Sequence, residues 1–564
     1  MKTKNIYSYI IIALLLFSGC SDYLEEQPRS ILTPSFFQTE EGLEYGLTSV
    51  YSGLRFEFGT EDGMNMTVPG TDEYTNGWTG TGDAARYYNV EPTSGMGATT
   101  WNRAFVYINT CNGIIEFGTE DQSIIVAEAK FLRALYYSII AQTFGGVPLD
   151  LGSGELKFNQ KAVTTSRRNT FEEVYDVIIQ DLKDAVDVLP DIPATGHAGK
   201  GAAMHFLAKA YLTIHDYENA FTVAKELIDN RSTYGFDLED NFADVNAEGN
   251  EYGSEVIFSV EHTDNLTFNE SDVNPPDEAM KENRACFLFT PYWEFLAGKD
   301  DTRPFTSEAR MIYQRPWSRF TPTYWLIYTC FADKENDSRF DASFRTVWYA
   351  TIDEGIYTAG DTVFYIPCRE VTEQERENSK ARLFATSDIW VPETGDYRAD
   401  LSFVTLFPHN RKFDDTHRQQ YNYSSTRPYI VSKLSETYLI AAEAALMDNR
   451  MEDGLPYLNE IRERAAVGSK RELEDGIEVA KEAMRVSSYD LDFILDERSR
   501  ELCGEQHRWF DLVRTGKLVE RVREFNPGAG VNIQDHHMLR PIPQTQIDLL
   551  SEESREGYQN PGYN

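Results

Sequence analysis

Met204-His-Phe-Leu-Ala-Lys-Ala-Tyr-Leu-Thr-Ile-His-Asp-Tyr-Glu-Asn-Ala-Phe-Thr-Val-Ala-Lys-Glu-Leu227 carries the pattern of two short helices packed closely together. Leu207, Ala208 and Tyr211 are followed by Ala220, Ala224 and Leu227, small and large residues at the spacing of a tetratricopeptide unit. In such a unit the small side chains let two helices approach closely. A second unit fits from Tyr438, with Ala441, Ala442 and Ala445, then Gly454, Leu458 and Ile461. One hairpin cannot bury its own apolar face, so several must stack.

Two further segments supply partners. Ile125, Ala129, Leu132, Tyr136 and Ile140 form one apolar stripe, which predicts a helix over 125–143. Thr170-Phe-Glu-Glu173 is a capping box, in which the Thr and Glu side chains satisfy each other's free backbone amides. Val174, Val177, Ile178, Leu182, Ala185, Val188 and Leu189 then repeat at helical spacing until Pro190, predicting a helix over 171–189. The class expected is mostly α, a scaffold built from segments far apart in sequence.

Between about 232 and 430 the character changes. Gly, Asn, Asp and aromatic residues become frequent, and short strands are expected at Glu255–Val260 and Thr362–Ile366. This reads as a loop-rich insertion on the scaffold, and loops on rigid scaffolds are where binding usually resides. The organisation expected is therefore a leader over 1–19, a linker over 20–35, and an N-terminal helical part over 36–231 with an aromatic loop near 72–90. The insertion over 232–430 and a C-terminal helical part over 431–564 follow.

The N-terminus reads as an address. Lys2 and Lys4 precede an apolar run from Ile10 to Phe17, and Ser18-Gly19-Cys20 follows. A charged start, a short apolar core and small residues before a cut site make a secretory signal. Cys20 in this setting resembles a bacterial lipobox cysteine, whose sulfur carries a diacylglycerol after cleavage, although Phe17 stands where lipoboxes usually have Leu. Several buried acyl chains hold a protein on a membrane firmly. The other cysteines form no C-x-x-C pair, so neither a zinc knuckle nor a thioredoxin-type site is indicated.

The 564 residues carry a formal charge of -38, with the acids spread along the whole chain. Such a polyanion repels nucleic-acid phosphates, which excludes that class of partner. No G-x-S-x-G, H-E-x-x-H or G-x-x-x-x-G-K-[ST] motif is present, so no enzyme class is favoured. Cys503 and His507 fall four apart, but as part of a charged helical block rather than a catalytic pair. Asp333-Lys-Glu-Asn-Asp337 alternates acids as a calcium loop does, yet lacks the central Gly and the closing Glu. No cofactor or metal is expected.

Several blocks together resemble the SusD/RagB family. They are Ala129-Lys-Phe-Leu-Arg-Ala-Leu-Tyr-Tyr137 with Phe144-Gly-Gly-Val-Pro148, Gly201-Ala-Ala through Ala208-Lys-Ala-Tyr-Leu212, Leu434-Ser-Glu-Thr-Tyr-Leu-Ile-Ala-Ala-Glu443 and Leu458-Asn-Glu-Ile-Arg-Glu-Arg-Ala465. Glu497-Arg-Ser-Arg-Glu-Leu502, running into Glu505-Gln-His-Arg-Trp-Phe-Asp-Leu-Val-Arg514, is the most diagnostic, and Tyr558-Gln-Asn-Pro-Gly-Tyr563 also fits. The resemblance implies a helical fold with about four tetratricopeptide-like units. It further implies a lipoprotein of the outer membrane, exposed outside the cell, that captures oligosaccharide without cleaving it and hands it to a SusC-like TonB-dependent barrel. A lid for another nutrient, such as a peptide or glycoprotein, and a surface glycosidase are the alternatives. In the charged block, Glu497, Glu501 and Glu505 are expected at successive i,i+4 positions of one helix, beside Arg498, Arg500 and Arg508, which suits either ties between helices or a docking surface for the barrel.

Sugars offer flat C–H faces that aromatic rings stack on, and hydroxyl rims that amides, carboxylates and guanidinium groups bond. The loop Asp72-Glu-Tyr-Thr-Asn-Gly-Trp-Thr-Gly-Thr-Gly-Asp83 is the first candidate, with Trp78 on the ligand or pinning the loop, and Tyr74, Asn76 and Asp83 beside it. A second cluster holds Tyr292, Trp293, Trp317, Tyr324 and Trp325, with Arg315 and Arg319 nearby; Tyr292, Trp317 and Trp325 are its candidates. Trp101 and Trp509 lie in helical contexts and are expected in the core.

Overall fold

The computed structural model of the chain describes residues 34–77, 85–149, 156–158, 164–263, 282–397, 406–466 and 474–563. Its frame is a succession of helices: α1 (Glu40–Gly53), α2 (Ala98–Phe117), α3 (Ser123–Phe144), α4 (Phe171–Val188), α5 (Lys200–Thr213), α6 (Tyr217–Asp229), α7 (Leu434–Met447) and α8 (Met451–Arg464). Each packs on the next, and α6 packs on α7 across the whole intervening insertion. The predicted helices over 125–143 and 171–189 are α3 and α4, and the two stretches with alternating small and large residues fold as the pairs α5–α6 and α7–α8.

Local chemistry explains these elements. The Thr170 hydroxyl accepts the Glu173 amide at 3.2 Å, and the Glu173 carboxylate accepts the Thr170 amide at 2.9 Å, which starts α4. Val174, Ile178, Leu182 and Ala185 are the buried stripe of that helix. Its one buried acid, Asp181, takes both ends of the Arg133 guanidinium at 2.8 Å, and Arg133 also donates to Asn112 at 2.8 Å. One arginine therefore ties α2, α3 and α4. In α8, a methyl group on Gly454 would lie 3.0 Å from the Ala442 carbonyl and 2.1 Å from the Tyr489 hydroxyl, which itself donates to that carbonyl at 2.8 Å. The small residues are what lets α7 and α8 touch.

The insertion is anchored by strands. β2 (Val256–Val260) pairs antiparallel with β7 (Tyr429–Lys433), which runs straight into α7. Nearer the N-terminus, β1 (Tyr74–Asn76) pairs antiparallel with β3 (Phe320–Pro322), with Tyr74 opposite Pro322 and Asn76 opposite Phe320. Inside the insertion, β4 (Val347–Tyr349) pairs antiparallel with β5 (Thr362–Tyr365), and β5 pairs parallel with β6 (Arg382–Leu383). β2 and β5 are the two strands the sequence predicts.

The C-terminal part continues with α9 (Glu474–Met484), α10 (Leu491–Leu502), α11 (Arg508–Arg514) and α12 (Leu518–Phe525). The charged block is not one helix through Glu505, as its spacing suggests. α10 stops at Leu502, and Gly504, at φ +80°, turns the chain. The charges are nevertheless gathered in the interior. Arg339 is fully buried and meets Asp337 at 2.7 Å, Glu497 at 2.9 Å and Glu501 at 3.1 Å. Glu501 also pairs with Arg464 at 2.6 Å, and Arg464 reaches Glu255. Lys412 and Lys433 converge on Glu505 at 2.7 and 3.0 Å. Arg508 and Arg521 both hold Asp72 at 2.6 Å. Because these groups are shielded from solvent, they tie insertion, frame and C-terminus together and do not form a docking surface.

Candidate functional site

β3 positions the site. The Gly77 amide donates to the Arg319 carbonyl at 2.6 Å, so β1 ends beside the residues that precede β3. A side chain at Gly77 would collide with the Ser318 carbonyl, at 1.8 Å from an added Cβ, so only glycine fits there. Trp317 is the next residue back. Its ring is half-buried and lies against Phe287, with ring centroids 5.5 Å apart. Three guanidinium groups surround it, Arg284 at 4.9 Å, Arg319 at 5.3 Å and Arg315 at 5.4 Å from the ring centre. Such contacts draw on the ring's negative face and hold the cations in place. The Tyr292 hydroxyl donates to the Trp317 carbonyl at 3.3 Å, so Tyr292 and Trp317, separated in sequence, share one surface.

The cations differ in how they are matched. Arg284 pairs with Glu282 at 2.9 Å and Arg319 with Glu61 at 2.6 Å. Behind them Arg310 grips Glu294 with bonds of 2.7 and 2.9 Å and donates to Asn422 at 3.0 Å. Burial, and then the charges of Arg310 and Arg284, lower the Arg315 pKa from its usual range. The site therefore offers an aromatic platform rimmed by fixed donors.

The other sequence candidates separate. Tyr74 is fully buried; its hydroxyl accepts from Asn410 at 2.9 Å and its ring meets Phe289 edge-on. It is a core residue and not a ligand ring. Trp325 is likewise buried, stacked on Phe525 at 5.0 Å with the Arg521 guanidinium 4.9 Å from its ring centre, so it too is packing. Asn76 is half-buried and its side-chain Oδ1 accepts from Arg86 at 2.6 Å, a tie within its own segment. Trp78, Asp83 and Cys20 lie outside the described residues. Trp101 and Trp509 sit in the core as expected. Arg284 is the site residue that sequence reading missed, since nothing near it in the chain announces Trp317.

A second cleft, of about 800 Å³, is lined by Tyr324, Tyr328, Trp390, Arg369, Glu370 and Ser387 among others. Its rings are spent on one another, for Tyr324 and Tyr328 stack at 4.6 Å and Trp390 is buried. Its rim is also engaged, with Glu370 accepting from the Ser387 amide at 3.0 Å and hydroxyl at 2.6 Å.

Cys503 and His507 do not form a nucleophilic pair. Burial pushes the Cys503 thiol up to about 12, and burial holds His507 at about 4 despite Glu436 beside it. The Asp333–Asp337 segment is occupied by its own chain, since Asp337 carries Arg339 and Asp333 accepts from Asn336 at 3.0 Å. Glu248, Asp415 and His417 bring ligand atoms within 4.8 Å of one another, but Glu248 is already bonded to the Thr416 amide at 2.7 Å and paired with His417 at 2.8 Å.

Comparison with known proteins places this geometry. A family profile described as "SusD family" matches residues 268–563, and one described as "Starch-binding associating with outer membrane" matches residues 22–212. Among curated proteins, SusD-like protein P25 of Formosa agariphila is 25% identical, over 99% of this chain and 100% of that one. A SusD-like protein of Bacteroides ovatus is 23% identical, over 91% of this chain and 82% of that one. Among solved structures, a laminarin binding SusD-like protein superposes with a TM-score of 0.66 at 21% identity, covering 93% of this chain and 100% of that one. Surface glycan-binding protein A from Bacteroides thetaiotaomicron does so with a TM-score of 0.62 at 19% identity, covering 93% and 100%. The helical stack, the anchored insertion and a family profile spanning more than half of the sequence agree, and the chain belongs to the SusD family.

Proposed function

We propose that this protein is a surface-exposed lipoprotein that captures oligosaccharide at the Trp317 site, without cleaving it, and passes it to a SusC-like TonB-dependent barrel in the outer membrane. The observation that carries the reading is the meeting of Trp317 and Tyr292 on one half-buried surface rimmed by arginines, a mixed aromatic and polar arrangement suited to sugar faces and hydroxyls. Relatives of matching length described as laminarin-binding and surface glycan-binding support it. Attachment through Cys20 rests on the lipobox-like sequence, and no helix among the described residues is long and apolar enough to cross a membrane.

Trp317→Ala removes both the platform and the support of the arginines. Titration calorimetry against a glycan panel is expected to show affinity falling about tenfold or more, equivalent to about 1.4 kcal/mol, with the thermal midpoint nearly unchanged. Unchanged affinity for a glycan the native protein retains refutes the site. Cys20→Ser is expected to move the protein from the membrane fraction to the soluble fraction of cells; a variant still sedimenting with membranes refutes lipidation at that residue.

A further inference from the structure

Three arginines surround Trp317 and a fourth, Arg310, lies close to Arg315; among the described residues, three carboxylates are paired with members of this group. Glu282, Glu61 and Glu294 are taken by Arg284, Arg319 and Arg310 respectively. Arg315, half-buried and 5.4 Å above the ring, has no hydrogen-bond or ion-pair partner among the described residues. This surplus of positive charge sits in a chain whose formal charge is -38. The overall field repels anions, so an anion is retained here only by close, directional bonding. A guanidinium is suited to that, because its planar fork matches the oxygens of a carboxylate or a sulfate. Partial burial raises the stake, since a cation removed from water without a counterion is disfavoured until one arrives.

We propose that the Trp317 site selects sugars bearing an anionic substituent, a carboxylate or a sulfate ester, and that Arg315 is the residue that bonds it. Phe287, Arg284 and Arg319 fix the ring, and the ring in turn holds Arg315 in register. The inference rests on the reading that Trp317 belongs to a glycan site.

The test is calorimetric titration with paired oligosaccharides that differ in charge alone. One pair is oligogalacturonate and its methyl ester; the other is a sulfated galactan oligosaccharide and its desulfated form, so the two pairs separate carboxylate from sulfate. The expected result is at least tenfold tighter binding of the charged member of one pair, weakening as salt is added. Arg315→Gln is expected to abolish that preference, weakening the charged member at least tenfold, while leaving the thermal midpoint unchanged. Equal or tighter binding of both neutral members overturns the proposal, as does a charge preference that survives Arg315→Gln. In either case binding that still weakens with Trp317→Ala leaves glycan capture standing. Failure of every oligosaccharide to bind, or binding indifferent to Trp317→Ala, overturns the underlying reading as well.

Discussion

Arg339→Met is expected to lower the unfolding free energy by about 3–5 kcal/mol, the cost typical of removing one partner from a buried ion cluster. Arg339 is fully buried and faces Asp337, Glu497 and Glu501 at once. Methionine fills much of the volume, so the loss isolates charge from packing. Glu497 keeps Arg462 and Arg500, and Glu501 keeps Arg464, but Asp337 loses its guanidinium. Because Asp337 and Arg339 belong to the insertion while Glu497 and Glu501 belong to α10, the variant also loosens one lobe from the other. Urea denaturation followed by circular dichroism measures the change. Lys225→Met is the control, since Lys225 and Asp229 form an exposed pair on α6, and its midpoint is expected to stay where it is. A midpoint for Arg339→Met equal to that of the control refutes the assignment.

Acid is expected to unfold the protein steeply below about pH 4, whereas stability changes little between about pH 4.5 and 6.5. Burial opposes ionisation of Glu501, but Arg464 and Arg339 overcome it and hold the carboxyl at about 2. Arg339, Arg500 and Arg462 hold Glu497 far below the usual carboxylate range, and Arg498 and Arg514 do the same for Asp511, in each case against burial. A carboxyl with a depressed folded-state pKa stabilises fully above its unfolded value and loses that contribution as pH falls toward the folded one. Glu436 is lowered likewise, as are Asp72, Asp414 and Glu505, and these carboxyls together set the acid limb. The shallow region has a different origin. Burial raises Glu57 and Glu73 to about 7, which weakens the fold as pH rises from the ordinary carboxylate range. Burial lowers His507 to about 4 and His537 to about 3, which weakens it as pH falls from the ordinary imidazole range. The raised carboxyls and the lowered imidazoles, His205 among them, pull in opposite directions over the same interval. Chemical denaturation at a series of pH values tests this; a plateau extending below pH 3 refutes it.

The frame is legible in the sequence because each of its helices writes its own pattern. The Thr170–Glu173 cap and the stripe behind it specify α4 from local residues alone, and Gly454 with Ala442 and Ala445 signals a close crossing before any partner is known. The site is legible only in part. Trp317 stands out as a ring in a polar segment, but Tyr74 and Trp325 carry the same signal and are core. Tyr74 follows Asp72 and Glu73, which by composition belong on a surface; both carboxylates are buried because Arg508 and Arg521 come from the far end of the chain to meet Asp72. Trp325 lies in the short π-helix Trp325–Cys330, whose inner side is set by Phe525. Local composition reports neighbours in sequence, and these burials depend on neighbours in space. The same limit hid Arg284 and suggested one helix through Glu505, where a single glycine breaks it.

Val260 and Tyr429 sit side by side as partners in β2 and β7, so everything between them leaves the frame and returns through one doorway. Lengthening or shortening what lies beyond that doorway costs little more than the slow logarithm of loop closure. Recognition can thus be rewritten wholesale while the supporting helices keep their sequence, an arrangement in which new specificities evolve by exchanging a cassette. The exchange has its tolls: a replacement must again supply a strand to β1, and because Arg339 and Lys412 travel with the cassette it must bring cations to the same acids or leave Glu501 and Glu505 short of them.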